Sequence, residues 1–160
     1  GKYAPQALSD TCLDCETGSH TNNVSRAATT CTKCDAGSFS NRSSVSCTLC
    51  SKGTVSSSGA SECTACSPGF VAKVAGSTSC TACSTGSYAA FYSSTNCTDC
   101  TTGKYQGSTG QSRCIQCMKG FATAIEGSTT CTVCSSGTYA ANVSSVNCFD
   151  CPWGTYSGAS

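Results

Sequence analysis

The sequence predicts a small disulfide-rich fold, drawn out as an elongated tandem-repeat rod, and three observations predict it. Eighteen of the 160 residues are cysteine, above the ~8–10% share that marks a disulfide scaffold. Those cysteines fall into nine C-x-x-C pairs whose first members are separated by 19, 16, 16 and then uniformly 17 residues. Leucine, isoleucine, valine and phenylalanine together supply only 18 residues. A chain with less than roughly 20% of those four cannot normally bury enough apolar surface to offset its entropy. Folding has to come from cross-links, which excludes an ordinary hydrophobic-core enzyme domain.

The repeat explains itself residue by residue. Three positions after each second cysteine stands a glycine, from Gly18 and Gly37 through Gly137 and Gly154, nine times in nine. Glycine takes positive φ without a Cβ clash, so it turns the chain out of the cysteine pair. Two positions later comes an aromatic in five cases: Phe39, Tyr88, Tyr105, Tyr139 and Tyr156. That ring supplies most of the available apolar area and is expected to lie over a neighbouring disulfide. A stretch of small and hydroxyl residues, such as Gly76 to Cys80 or Gly127 to Cys131, is turn chemistry that returns the chain to the next pair. Short strands of three to five residues on either side of a turn are the most this reading allows. Helix is disfavoured, because β-branched, Ser and Gly residues oppose it and no 3.6-residue apolar stripe occurs.

Charge and hydropathy close other classes. Nine basic and eight acidic residues leave a formal charge of +1, and the basic ones stand singly from Lys2 to Lys119. Nucleic-acid binding usually shows a basic patch or stripe. No run approaches the ~18 apolar residues of a membrane span. We expect neither partner for this stretch.

C-x-x-C pairs at such intervals also resemble zinc ribbons, in which four thiolates hold one metal. A redox thiol would need an electropositive setting. The hydroxyl-rich, charge-poor composition and the glycosylation sequons favour disulfides in an oxidising compartment instead. Sequence alone does not dictate connectivity, but geometry favours bonding each second cysteine to the first of the next pair. That scheme reads Cys15–Cys31, Cys34–Cys47, Cys50–Cys63, Cys66–Cys80, Cys83–Cys97, Cys100–Cys114, Cys117–Cys131 and Cys134–Cys148. Bonds within a pair would leave the long segments unrestrained. Each closed loop is worth about 3 kcal/mol of denatured-state entropy. Cys12 and Cys151 then need partners outside residues 1–160, so we expect one continuous array of about nine repeats cut from a longer chain.

The motif C-x-x-C-x-x-G-x-Y with its Ser/Thr-rich return resembles the ephrin-receptor-like cysteine-rich repeat, best seen from Cys83 through Gly86 and Tyr88 to Cys97 and Cys100. It is also similar to the single-disulfide modules of tumour-necrosis-factor receptors. Arrays this uniform look like those of large secreted surface proteins of protists and algae, the shaft proteins of flagellar mastigonemes among them. The resemblance implies an extracellular protein, and the residues themselves lead us to expect one that is not an enzyme.

Four N-x-S/T sequons begin at Asn23, Asn41, Asn96 and Asn142. Asn23, Asn41 and Asn142 fall four or five residues past a repeat glycine, at the expected loop tip, where a bulky N-glycan fits. Asn96 adjoins Cys97. Exposed Ser and Thr are either O-glycan acceptors or simply turn and solvating residues. Among the remaining candidates, His20 occupies the aromatic phase and has no second histidine to join it. Asp14, Asp99 and Asp150 lack a calcium-loop pattern, and Phe149, Met118 and Trp153 are single apolar residues. No catalytic, cofactor or metal site is expected. The function expected is structural: a glycosylated, disulfide-stapled shaft of about 10 Å per repeat, each repeat contacting mainly its neighbours, which self-associates or joins other filament subunits. The alternative is the ligand-binding ectodomain of a receptor.

Overall fold

Each C-x-x-C pair ends one β-hairpin, and the glycine three residues later begins the next. The computed structural model describes residues 1–6, 11–21 and 28–155. Its strands come in order as Lys2–Tyr3 with Leu13–Asp14, Ser19–His20 with Thr32–Lys33, Ser38–Phe39 with Thr48–Leu49, and Thr54–Val55 with Thr64–Ala65. Phe70–Val71 with Thr81–Ala82 follows, then Ser87–Tyr88 with Thr98–Asp99, Lys104–Tyr105 with Ile115–Gln116, Phe121–Ala122 with Thr132–Val133, and Thr138–Tyr139 with Phe149–Asp150. We number these hairpins one to nine. The strands hold two residues each, within the limit of three to five, because a glycine turn closes one side and a cysteine the other. Registers repeat accordingly: Ser87 faces Asp99 and Tyr88 faces Thr98, as Lys104 faces Gln116 and Tyr105 faces Ile115. No helix occurs among the described residues.

The glycine serves a turn that demands it. Gly86 has φ +80°, and the Ser87 N–H donates to the Ser84 carbonyl 3.1 Å away. That is a β-turn whose third residue has positive φ, the position at which glycine is favoured. The Ser87 hydroxyl donates to the same Ser84 carbonyl at 2.8 Å. Ser38, Thr54 and Thr138 repeat this on Asp35, Ser51 and Ser135. A second hydroxyl closes the hairpin's own loop: Ser44 on Asn41, Ser77 on Val74, Ser128 on Ile125 and Ser145 on Asn142. Many of the hydroxyls are thus turn-closing groups.

The buried core consists of sulfur and small side chains. Cys15, Cys34, Cys50, Cys83, Cys100 and Cys117 are wholly buried, together with Ala72, Ala89, Ala140, Ser40 and Ser56. The described residues divide into two compact units. The first comprises Gly1–Ser67, Val71–Thr81 and Tyr92–Thr95; the second comprises Pro68–Phe70, Ala82–Phe91 and Asn96–Ser160. Hairpins one to four lie in the first and six to nine in the second; Val71 and Thr81 of hairpin five belong to the first, Phe70 and Ala82 to the second.

Within each unit the repeats touch beyond their immediate neighbours. In the first, the Gly18 N–H of hairpin two donates to the Ser40 carbonyl of hairpin three. Gly59, in the loop of hairpin four, donates to the Cys34 carbonyl of hairpin two. A Cβ on Gly18 would stand 2.0 Å from the Gly59 carbonyl oxygen. In the second unit Gly86, Gln106 and Gly127 repeat the arrangement, with Gly127 donating to Cys100. Contacts thus extend to second neighbours as well as to adjacent repeats. Two-residue hairpins are thin enough that a loop reaches past one to the next.

Candidate functional site

Eight disulfides run through the hairpins in series. They join Cys15–Cys31, Cys34–Cys47, Cys50–Cys63, Cys66–Cys80, Cys83–Cys97, Cys100–Cys114, Cys117–Cys131 and Cys134–Cys148, with Cα–Cα separations of 5.6 to 5.8 Å. Each links the closing cysteine of one hairpin to the loop of the next. The closing cysteines are mostly buried, while Cys31, Cys47, Cys63, Cys80, Cys97, Cys114, Cys131 and Cys148 are half-exposed. Cys12 is exposed, Cys151 is half-exposed, and neither is disulfide-bonded among the described residues.

Aromatic side chains share surface grooves with three of the half-exposed sulfurs. Tyr3 lines a surface groove with Cys31, Tyr88 one with Cys114, and Tyr105 one with Cys131. Of these three, the Tyr105 groove is the most apolar, adding Ile115, Met118 and Phe121. In hairpin two the same phase carries His20, whose Nδ1 lies 3.1 Å from Cys47 Sγ. Residue spacing placed His20 in the aromatic phase but gave no sign of this contact. His20, Cys34 and Cys47 have the composition of a metal triad within 4.8 Å of one another. With the two sulfurs bonded together, however, neither is the thiolate that metal ligation needs.

The sequons take different positions. Asn41 and Asn142 are exposed, each in the loop turn just before a residue of positive φ, Ser43 (61°) and Ser144 (58°). Asn96 is also exposed, beside half-exposed Cys97. Asn23 lies outside the described residues, as does Tyr156. Phe149, Met118 and Trp153 are exposed, Phe149 with its ring 6.5 Å from that of Tyr139 and Met118 within the Tyr105 groove.

Ser43, Gly59, Gly76, Ser93, Gly110, Gly127 and Ser144 share one structural place, four residues before a cysteine, and all have positive φ. The sequence reading missed this position, since serine and glycine alternate in it; the fixed distance to the cysteine was the available signal. Ser43 has a second task. Its hydroxyl bond to Asp14, followed by the Lys2 and Arg42 charges, holds the Asp14 carboxyl below the ordinary carboxylate range against the opposing cost of burial. Lys2 Nζ lies 3.6 Å from Asp14 Oδ1. Gln116 is the register equivalent of Asp14, and the Ser144 hydroxyl is buried without a partner among the described residues.

None of the curated proteins compared with the chain matches it. The profile of the family described as tyrosine-protein kinase ephrin type A/B receptor-like matches residues 37–83, 53–96, 86–130 and 126–160. Those segments overlap to cover everything from residue 37 onward, and every one carries the hairpin–disulfide unit described above. Tandem repeats of this kind, stapled by disulfides, point to an extracellular cysteine-rich domain. The chain belongs to the ephrin-receptor-like family of cysteine-rich repeats.

Proposed function

We propose that this stretch is a tension-bearing segment of an extracellular or cell-surface shaft, N-glycosylated at its loop tips, which associates with copies of itself or with other filament subunits. The serial disulfide path supports the reading. A pull along the chain passes through C-x-x-C, crosses one disulfide, and enters the next C-x-x-C without loading the loop between. The covalent path per repeat is then about 16 Å, where seventeen free residues would give about 60 Å. Asn41 and Asn142 point to glycan attachment because both are exposed in loop turns, and Asn23 and Asn96 complete the acceptor set. O-glycans on exposed Ser and Thr fit the same surface.

Sedimentation of secreted, glycosylated protein tests the proposal. Concentration-dependent association into ordered oligomers supports the shaft. A strict monomer that associates only when a ligand is added supports a receptor ectodomain instead, with the Tyr105–Ile115–Met118–Phe121 groove as its natural contact.

A further inference from the structure

His20 is the sole histidine, and it occupies a place filled in the other hairpins by Tyr3, Phe39, Val55, Val71, Tyr88, Tyr105, Ala122 and Tyr139. All of those are apolar or phenolic. His20 alone brings a ring nitrogen that can carry a proton to a disulfide, with Nδ1 3.1 Å from Cys47 Sγ and a ring nitrogen within 4.8 Å of Cys34 Sγ. Cys34 is wholly buried, whereas Cys47 is half-exposed. One sulfur of the pair is therefore open to attack, and the other lies within 4.8 Å of an imidazole nitrogen.

We propose that Cys34–Cys47 with His20 is a thiol–disulfide exchange site, whose reaction partner is a low-molecular-weight or protein thiol. The attacking thiolate bonds to Cys47 Sγ as the Cys34–Cys47 bond breaks, and the electron pair leaves on Cys34 Sγ. Protonated His20 gives its proton to that thiolate and becomes neutral. A second thiolate then attacks the outer sulfur of the mixed disulfide. Cys47 is released as a thiolate beside Nδ1, and the attacking thiol leaves as its own disulfide. Two thiols are oxidised and one disulfide of the array is reduced. Cationic neighbours lower thiol pKa, and a leaving thiol of lower pKa departs faster. In the other hairpins no imidazole supplies this help.

The test exposes the whole oxidised chain to 2-mercaptoethanol, quenches with iodoacetamide over time, and maps alkylated cysteines by peptide mass. Cys34 and Cys47 should be alkylated about five- to tenfold faster than Cys50 and Cys63 or Cys66 and Cys80. His20→Tyr, which installs the residue found in hairpins six and seven, should bring them to the common rate. The converse variant Tyr88→His leaves hairpin two intact and should accelerate Cys100 and Cys114. Equal rates in the wild-type chain would overturn the proposal. So would fast alkylation that survives His20→Tyr, which would locate the cause in local opening. Failure of Tyr88→His to transfer the reactivity would also overturn it. That arm keeps the test decisive even if His20→Tyr does not fold, and none of the arms depends on the shaft reading.

Discussion

Gly86 faces the carbonyl of Gly127 so closely that a Cβ on Gly86 would stand 2.0 Å from that oxygen. The two residues belong to hairpins two apart, so the glycine is required by packing as well as by its φ of +80°. Gly120 has the same φ of +80°, yet a Cβ there would meet no described atom within 4 Å. Gly86→Ala should then cost about 3 kcal/mol or more, since the obstacle is backbone. Gly120→Ala should cost about 1 kcal/mol, the left-handed penalty alone. Denaturant titration of the oxidised variants, with hydrogen exchange at the Gly127 amide, measures both. Equal costs would mean that the second-neighbour seat contributes nothing.

Serine at a left-handed position is strained, and Ser144 also buries an unpartnered hydroxyl. Ser144→Gly should stabilise its surroundings by about 1 kcal/mol. Ser43→Gly should gain much less, because it gives up the bond to Asp14. Both substitutions erase a sequon, so the comparison belongs on unglycosylated protein, read by the amide protection of residues 43 and 144.

The depressed titration of Asp14 makes hairpin one acid-sensitive. Its contribution is present above the carboxyl's unfolded pKa and is lost as pH falls through the lower folded value. An NMR titration should place the Asp14 midpoint below that of an ordinary aspartate. In Ser43→Gly the midpoint should move upward, because the largest of the lowering influences is the Ser43 hydroxyl bond. An unchanged midpoint would remove Ser43 from the account.

Deleting one rung should have a local effect. Cys100→Ala with Cys114→Ala reopens a loop whose closure is worth about 3 kcal/mol. Hydrogen exchange should accelerate around hairpins six and seven and stay slow in hairpins two and three. Uniform acceleration along the chain would show one cooperative block rather than a series of repeats.

Much of this was legible in the residue spacing. A glycine three residues after each C-x-x-C needs a positive-φ turn, and Gly18, Gly37 and Gly86 have one. Scarcity of Leu, Ile, Val and Phe predicts a core made of something else, and Cys34, Ser40 and Ala89 fill it. What escaped was whatever depends on contact between distant loops. Gly59 and Ser93 are different residue types in one structural place, so their shared role emerges only when Cys34 and Cys66 are found accepting their N–H groups. His20 stands 27 residues from Cys47, a separation that no 17-residue pattern singles out. The strands are as short as two residues for a local reason: hydroxyl turns close at Ser38 and again at Ser44 in the following loop.

Single-molecule stretching of the oxidised and reduced chain tests the central claim most directly. With the disulfides in series, the oxidised chain should stop near 16 Å per repeat, and reduction should release it to about 60 Å per repeat. An oxidised chain that already stretches close to the reduced length would contradict the account, because only bonds within each C-x-x-C pair, or none, leave the loops free to extend.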